Sequence, residues 1–251
     1  VEKNIIHDNG YRSGEQGYGL LFQSLTNSII RNNIIYHNRL GSVGFNDNYP
    51  GDQPSNNVQF LNNLFYAPAS GSNVGIGGSQ TINLSFKNNI FVSDVSNPIV
   101  SGKFAFYKNS EFPDSQLTLD SNLYYMPNAT DNKIISYGSI YTLPELLSSF
   151  GKEAHGLNAN PLFTDLTTNN FSPQSGAPTI NAGVTVSAPD DFNGTARPQG
   201  SAYDIGPFEY YTGAPAYVPP SESSPPPLPP PPSTPPPAPP PPPTTPSTPS
   251  T

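Results

Sequence analysis

The sequence predicts an all-β solenoid followed by an extended tail, and three observations carry that reading. A short pattern recurs five times at a near-constant spacing, its columns alternate between apolar and charged residues, and the prolines crowd at one end. The segments are VEKNIIH at 1–7, IIRNNIIY at 29–36, FLNNLFY at 60–66, FKNNIFV at 86–92 and LDSNLYY at 119–125. Anchored on Asn4, Asn33, Asn63, Asn89 and Asn122, they lie 29, 30, 26 and 33 residues apart, a solenoid-sized period.

Three positions before the anchor stand Val1, Ile30, Phe60, Phe86 and Leu119; one after it stand Ile5, Ile34, Leu64, Ile90 and Leu123, so both columns are wholly apolar. Two before the anchor come Glu2, Arg31, Leu61, Lys87 and Asp120, charged at four of five positions and expected to face water. Such period-two alternation is the mark of a strand. The asparagines break it, and Asn suits a tight bend because it tolerates left-handed backbone angles and hydrogen-bonds its own main chain. Stacked coil upon coil, these residues are expected to form an amide ladder. Further strand-like runs complete the coils: GYGLLFQ at 17–23, GSVGF at 41–45, NVGIGG at 73–78, NPIV at 97–100 and KIISY at 133–137. Helical periodicity occurs only in TLPELLSSF at 142–150, with Thr142 as its N-cap.

The stacked coils resemble the right-handed parallel β-helix repeats of pectate-lyase-like, polysaccharide-active proteins. ANPLFTD at 159–165, SPQSGAPTINAG at 172–183, DFNGTARP at 191–198 and DIGPFEY at 204–210 are similar to the closing segment of bacterial β-helix repeat proteins. That segment runs roughly DPxF, SPAIDAG, DxxGxxRP and DIGAxE. The resemblance spans residues 1–211 and divides the chain into β-helix coils at 1–141, a short helix with the closing segment at 142–211, and a Pro/Ser/Thr-rich tail at 212–251. It speaks to fold more than to function, because the closing segment occurs in enzymes and in proteins of no known activity. The closing segment is expected to cover the C-terminal end of the stack, with Arg197 binding Asp191, Asp204 or Glu209 as a structural fork donor. The chain starts inside a coil. The expectation is that an N-terminal cap and several coils precede Val1, or else that the open end binds another copy, giving end-to-end self-association.

Composition bounds the rest. The 251 residues include no cysteine and no tryptophan, and the formal charge is −8. A chain this acidic and poor in Lys and Arg lacks the footprint of a nucleic-acid binder. Zero cysteine removes disulfide scaffolds, thiolate metal sites and cysteine nucleophiles. No run is apolar for long enough to span a membrane, and the first ten residues do not read as a signal peptide. Twenty of the 33 prolines fall between Pro215 and Pro249, so the tail is expected to be polyproline II, with a reach on the order of 100 Å. It resembles the linkers of carbohydrate-active modules and the glycosylated stalks of cell-wall proteins, both outside the cytoplasm. Sequons begin at Asn83, Asn128, Asn170 and Asn193, a number that chance explains in a chain so rich in Asn, Ser and Thr.

For enzymes of this fold the resemblance implies either a lyase, with a Lys or Arg base and a cation such as Ca²⁺ on the substrate carboxylate, or a hydrolase with paired Asp. On the charged column, Lys87 is the base candidate and Arg31 the partner of a substrate carboxylate; both equally suit a solvated ladder. His7 and His37 follow the anchors of consecutive coils and, with the phenols of Tyr36 and Tyr66, are candidates for sugar binding. Asp47, Asn48 and Asp52 in FNDNYPGD offer oxygen ligands for Ca²⁺, in a composition any long turn also has. The function expected is therefore an extracellular carbohydrate-active or carbohydrate-binding module, with lysis of uronic-acid polymers as its enzymatic form. The alternative is a non-catalytic surface or wall protein, or a filament subunit, on a glycosylated proline stalk. The partner in the leading reading is a polysaccharide or cell-wall glycan.

Overall fold

The computed structural model describes residues 1–10, 17–45, 53–68, 72–76, 81–94, 105–108, 112–128, 135–137, 139–213 and 217. Val1–Pro219 forms one compact unit, and every strand and helix named below belongs to it. Among the described residues no helix is long and apolar enough to cross a membrane.

The chain is a parallel β-solenoid whose coils pass through three sheets in turn. Sheet A holds β3 (Thr26–Arg31), β6 (Asn56–Leu61), β9 (Ile82–Lys87) and β12 (Leu117–Asp120). Sheet B holds β1 (Ile5–His7), β4 (Ile34–Tyr36), β7 (Leu64–Ala67), β10 (Ile90–Ser93), β13 (Leu123–Tyr125) and β16 (Leu157–Asn158). Sheet C holds β2 (Tyr18–Phe22), β5 (Gly41–Phe45), β8 (Ser72–Ile76), β11 (Phe106–Lys108), β14 (Ile135–Tyr137) and β15 (Ser139–Tyr141). Pairing between coils is parallel and matches the sequence columns: Ile30 aligns with Phe60, Phe60 with Phe86 and Phe86 with Leu119. The expected run at 97–100 lies outside the described residues.

A two-residue bend joins each A strand to its B strand. Its first residue, Asn32, Asn62, Asn88 or Ser121, takes a left-handed φ of 52° to 56°. The bend shifts the alternation by one position, so the residue after each anchor faces outward and the next faces inward. Ile30, Phe60, Phe86 and Leu119 therefore share the interior with Ile35, Phe65, Phe91 and Tyr124. Rings stack along the axis there, Phe60 on Phe86 at 4.5 Å and Phe91 on Tyr124 at 5.0 Å. Ile34, Leu64, Ile90 and Leu123 belong to a second core on the outer face of sheet B.

That outer core corrects the expected position of the closing segment. After the antiparallel hairpin of β17 (Phe163–Asp165) and β18 (Asn170–Pro173), the chain runs along the flank of the solenoid. Phe163, Phe171, Ile205 and Phe208 cover the outward apolar column, which would otherwise stand in water. The bend asparagines pin the segment: Asn32 Nδ2 donates to the Asp190 carbonyl, Asn62 Nδ2 to those of Asp204 and Gly206, and Asn88 Nδ2 to that of Val184. At the C-terminal end, β15 folds back antiparallel on β14, and helix α1 (Leu143–Phe150) buries Leu143 and Leu146 against the interior. As expected, Thr142 caps α1 in a capping box with Glu145, and Gly151 ends it in the left-handed region.

Arg197 does bind a carboxylate, Nη1 to Glu209 Oε1 at 2.5 Å with both side chains fully buried. Its remaining donors reach the carbonyls of Asp190, Asp204 and Gly206 and the Asn32 amide oxygen. The guanidinium thus ties the segment to itself and to the solenoid.

Candidate functional site

Sheet B places rings from successive coils in one outward column, because the third residue after each anchor has the same parity as the first. His7 aligns with Tyr36 and Tyr36 with Tyr66. The two coils after that contribute Val92 and Tyr125. His7 and Tyr36 stack face to face at 4.7 Å and 5°. His37, one residue beyond its strand and held at φ 52°, sets its ring edge-on between Tyr36 and Tyr66, 5.2 Å from each. The four ring residues picked out by sequence therefore form one continuous stripe.

Their exposure differs. Tyr36 is 4 % exposed and backs the stripe, wedged against Phe171 at 5.2 Å. His7, His37, Tyr66 and Tyr125 are partly exposed and form its accessible surface. Two carboxylates edge it: Asp8 Oδ2 lies 2.6 Å from His7 Nδ1, and Asp94 Oδ1 accepts the Tyr66 hydroxyl at 3.0 Å. Burial, and then the Asp94 charge, push the Tyr66 phenol above its ordinary value, so it stays a donor at any physiological pH. Ring faces beside fixed carboxylates are suited to a sugar, with C–H faces against the rings and hydroxyls donating to the oxygens. Asp8, Asp94 and Phe171 were not singled out in the sequence. Asp94 was within reach of column reading continued past the strand, whereas Phe171 comes from the hairpin and has no column.

The charged column behaves differently. Register puts Leu61 between Arg31 and Lys87. Arg31 is engaged, Nε to Glu2 Oε2 at 2.6 Å and Nη1 to the Ser187 carbonyl at 2.7 Å. Leu61 is 1 % exposed on a face expected to be wet, at the rung where Asn62 grips the closing segment. Asp120 lies 3.1 Å from His155. Lys87 has no ion pair among the described residues. Asp47, Asn48 and Asp52 lie outside the described residues, and among those described no three His, Cys, Asp or Glu gather as a metal set.

Behind the stripe runs the amide ladder. Each anchor Oδ1 accepts both the backbone N–H and the side-chain amide of the preceding anchor, from Asn4 to Asn33, Asn63, Asn89 and Asn122, at 2.9–3.1 Å. It ends on a residue the sequence reading missed. Glu153 accepts Asn122 N at 3.2 Å, Asn122 Nδ2 at 2.7 Å and the Tyr124 hydroxyl at 2.7 Å. Burial pushes its carboxyl up to about 7, against those three donors, which favour the charged form. The repeat pattern could not show it, since the coil bearing Glu153 lacks the anchor motif.

Fold and site together define a parallel β-solenoid with an outer core under its C-terminal segment and an imidazole–phenol stripe on one sheet. No protein-family model matches the chain, and no curated protein does either.

Proposed function

We propose that this protein is an extracellular carbohydrate-binding β-helix module that holds a polysaccharide or cell-wall glycan along the stripe of His7, His37, Tyr66 and Tyr125. The observation that carries the reading is the continuous ring stack across consecutive coils with carboxylate acceptors at its edge. The strand spacing of ~4.8 Å is close to the length of one sugar residue, so a glycan chain lying along the axis meets rings on the first three coils and, past Val92, again at Tyr125. The proline-rich tail supports an extracellular setting as a spacer between this module and an anchor or partner.

Affinity electrophoresis of the full chain through gels of pectate, alginate, xylan and mannan tests the reading. At least one polymer should retard the protein. Tyr66→Leu keeps the packing while removing ring and hydroxyl, and His37→Asn keeps a residue that tolerates the left-handed region. Each should weaken retardation about tenfold, the loss of a contact worth about 1.4 kcal/mol. Retardation unaffected by both substitutions, or none on any polymer, overturns it.

Lys87, which has no ion pair among the described residues, favours a second reading, a lyase of uronic-acid polymers with Lys87 as base and Arg31, two coils away, as partner of a substrate carboxylate. In that reading Ca²⁺ supplies charge stabilisation to the substrate carboxylate, with Asp47, Asn48 and Asp52 as its candidate ligands. Unsaturated product formed with Ca²⁺, absent with EDTA and absent in Lys87→Ala, is the outcome it requires.

A further inference from the structure

The face of the closing segment turned away from the solenoid carries a cleft of about 310 Å³. It is built by strand alternation. In β18, Phe171 points inward onto Tyr36 and Tyr66, which leaves Asn170 and Ser172 on the opposite face, in the cleft wall. The other wall is the turn at 191–195, where Gly194 at φ 87° lets the chain double back, together with residues 208–213.

The polar groups in this cleft fall into two sets. The carboxylates are spent: Asp191 accepts the Thr195 and Glu209 N–H groups, and Glu209 accepts Arg197 and the Gln199 and Asp204 N–H groups. A second set makes no hydrogen bond among the described residues. It comprises the Asn170 Nδ2 amide, the Asn193 amide, the Thr195 and Thr212 hydroxyls and the phenol groups of Tyr210 and Tyr211, all lining the same cleft. Among the described residues the lining holds no Lys, Arg or His to draw an anion, and two carboxylates stand behind it. Unspent amides and hydroxyls able both to donate and to accept, beside the apolar surfaces of Pro173 and Phe208, complement a polyol ring. The volume lies at the small end of ligand sites, which run from about 300 Å³. That suits one sugar unit better than an extended chain.

We propose that this cleft is a second carbohydrate site, separate from the stripe, that takes one neutral sugar unit at a chain end or branch. It does not depend on the stripe, because the two lie on opposite faces of β18. A protein with both would hold a glycan along one face and a terminus on another, which cross-links chains rather than merely adhering to one.

Amide NMR of the full chain, produced in a bacterial host so that the sequon residues Asn170 and Asn193 carry no glycan, separates the two sites. The probes are cellotetraose, xylotetraose, mannotetraose and tetragalacturonate. One of the three neutral tetraoses should shift the amides of Asn193, Gly194, Thr195 and Tyr211, and tetragalacturonate should not. Asn193→Ala and Tyr211→Ala remove side-chain groups that make no hydrogen bond among the described residues, and each should weaken this response at least tenfold while Tyr66→Leu leaves it unchanged. The amides of His37, Tyr66 and Asp94 report the stripe separately, so failure at one site leaves the other readable. The proposal falls if no neutral tetraose shifts the cleft amides at millimolar concentration, or if tetragalacturonate shifts them as strongly. It falls equally if both cleft substitutions leave the response intact, or if Tyr66→Leu abolishes it.

Discussion

Glu153 shows how much one residue carries at the end of a repeat. A further asparagine would need another anchor beyond it, whereas a carboxylate only accepts, so it ends the ladder without asking for a partner. Gly156 makes room for it, since a Cβ there would lie 2.7 Å from Glu153 Oε2. Among the described residues no cation faces the group: its neighbours are Asn122, Tyr124 and, as a further negative charge, Asp120. The carboxyl rises from its ordinary 4.5 to about 7. With a raised folded-state value, its contribution to stability is fully present below about 4.5 and is lost as pH rises through about 7. The stability lost is on the order of 3 kcal/mol at 1.36 kcal/mol per unit. Melting temperature should therefore fall between pH 5 and pH 8, and Glu153→Gln should flatten that slope. A slope identical in the variant would show that other groups set it.

At the scale of the element, the ladder makes each coil depend on its neighbours. Asn89 donates to the carbonyls of Phe60 and Lys87 and to Asn122 Oδ1, while its own Oδ1 accepts two donors from Asn63. Asn89→Ala would strand the Asn63 N–H and one hydrogen of its side-chain amide in a buried corner, each at about 1–3 kcal/mol, while Asn122 Oδ1 keeps the backbone N–H of residue 89. A loss of about 3–5 kcal/mol in denaturant unfolding is expected. Asn4 stands at the exposed end of the same ladder, and Asn4→Ala should cost less than about 1 kcal/mol. Equal losses at both positions would mean that neither burial nor a rung on both sides sets the value of these residues. The last bend is a variation: Ser121 takes the left-handed φ, but its buried hydroxyl has no hydrogen-bond partner among the described residues, where Asn32, Asn62 and Asn88 grip the closing segment.

The molecule as a whole is held by a segment that returns along its side. Arg197 sits among three carboxylates; burial lowers its guanidinium from the ordinary value while Glu209, Asp191 and Asp204 oppose that shift. Arg197→Ala would leave those charges buried without a counterion, a change that costs about 3–5 kcal/mol in comparable settings. Hydrogen exchange should then show the amides of Asn181, Val184 and Gly206 losing protection before those of Asn63 and Asn89. If all of them open together, the segment and the solenoid unfold as one unit rather than as a strap released from a standing stack.

The repeat, its columns, the amide ladder and the capped helix were legible in the residues, because strand alternation, left-handed bends and helix capping are decided within a few positions of the chain. The facing of each column was not. It depends on the bend shifting the alternation by one, which turned one apolar column outward and required a cover from a distant segment of the chain. The same distance hid Phe171 behind the ring stripe, while the cleft on the far side of β18 is assembled from the hairpin, the turn at 191–195 and residues 208–213, none of which carries the repeat. Local chemistry settles what a coil is, whereas burial from distant segments settles which of its faces meets water.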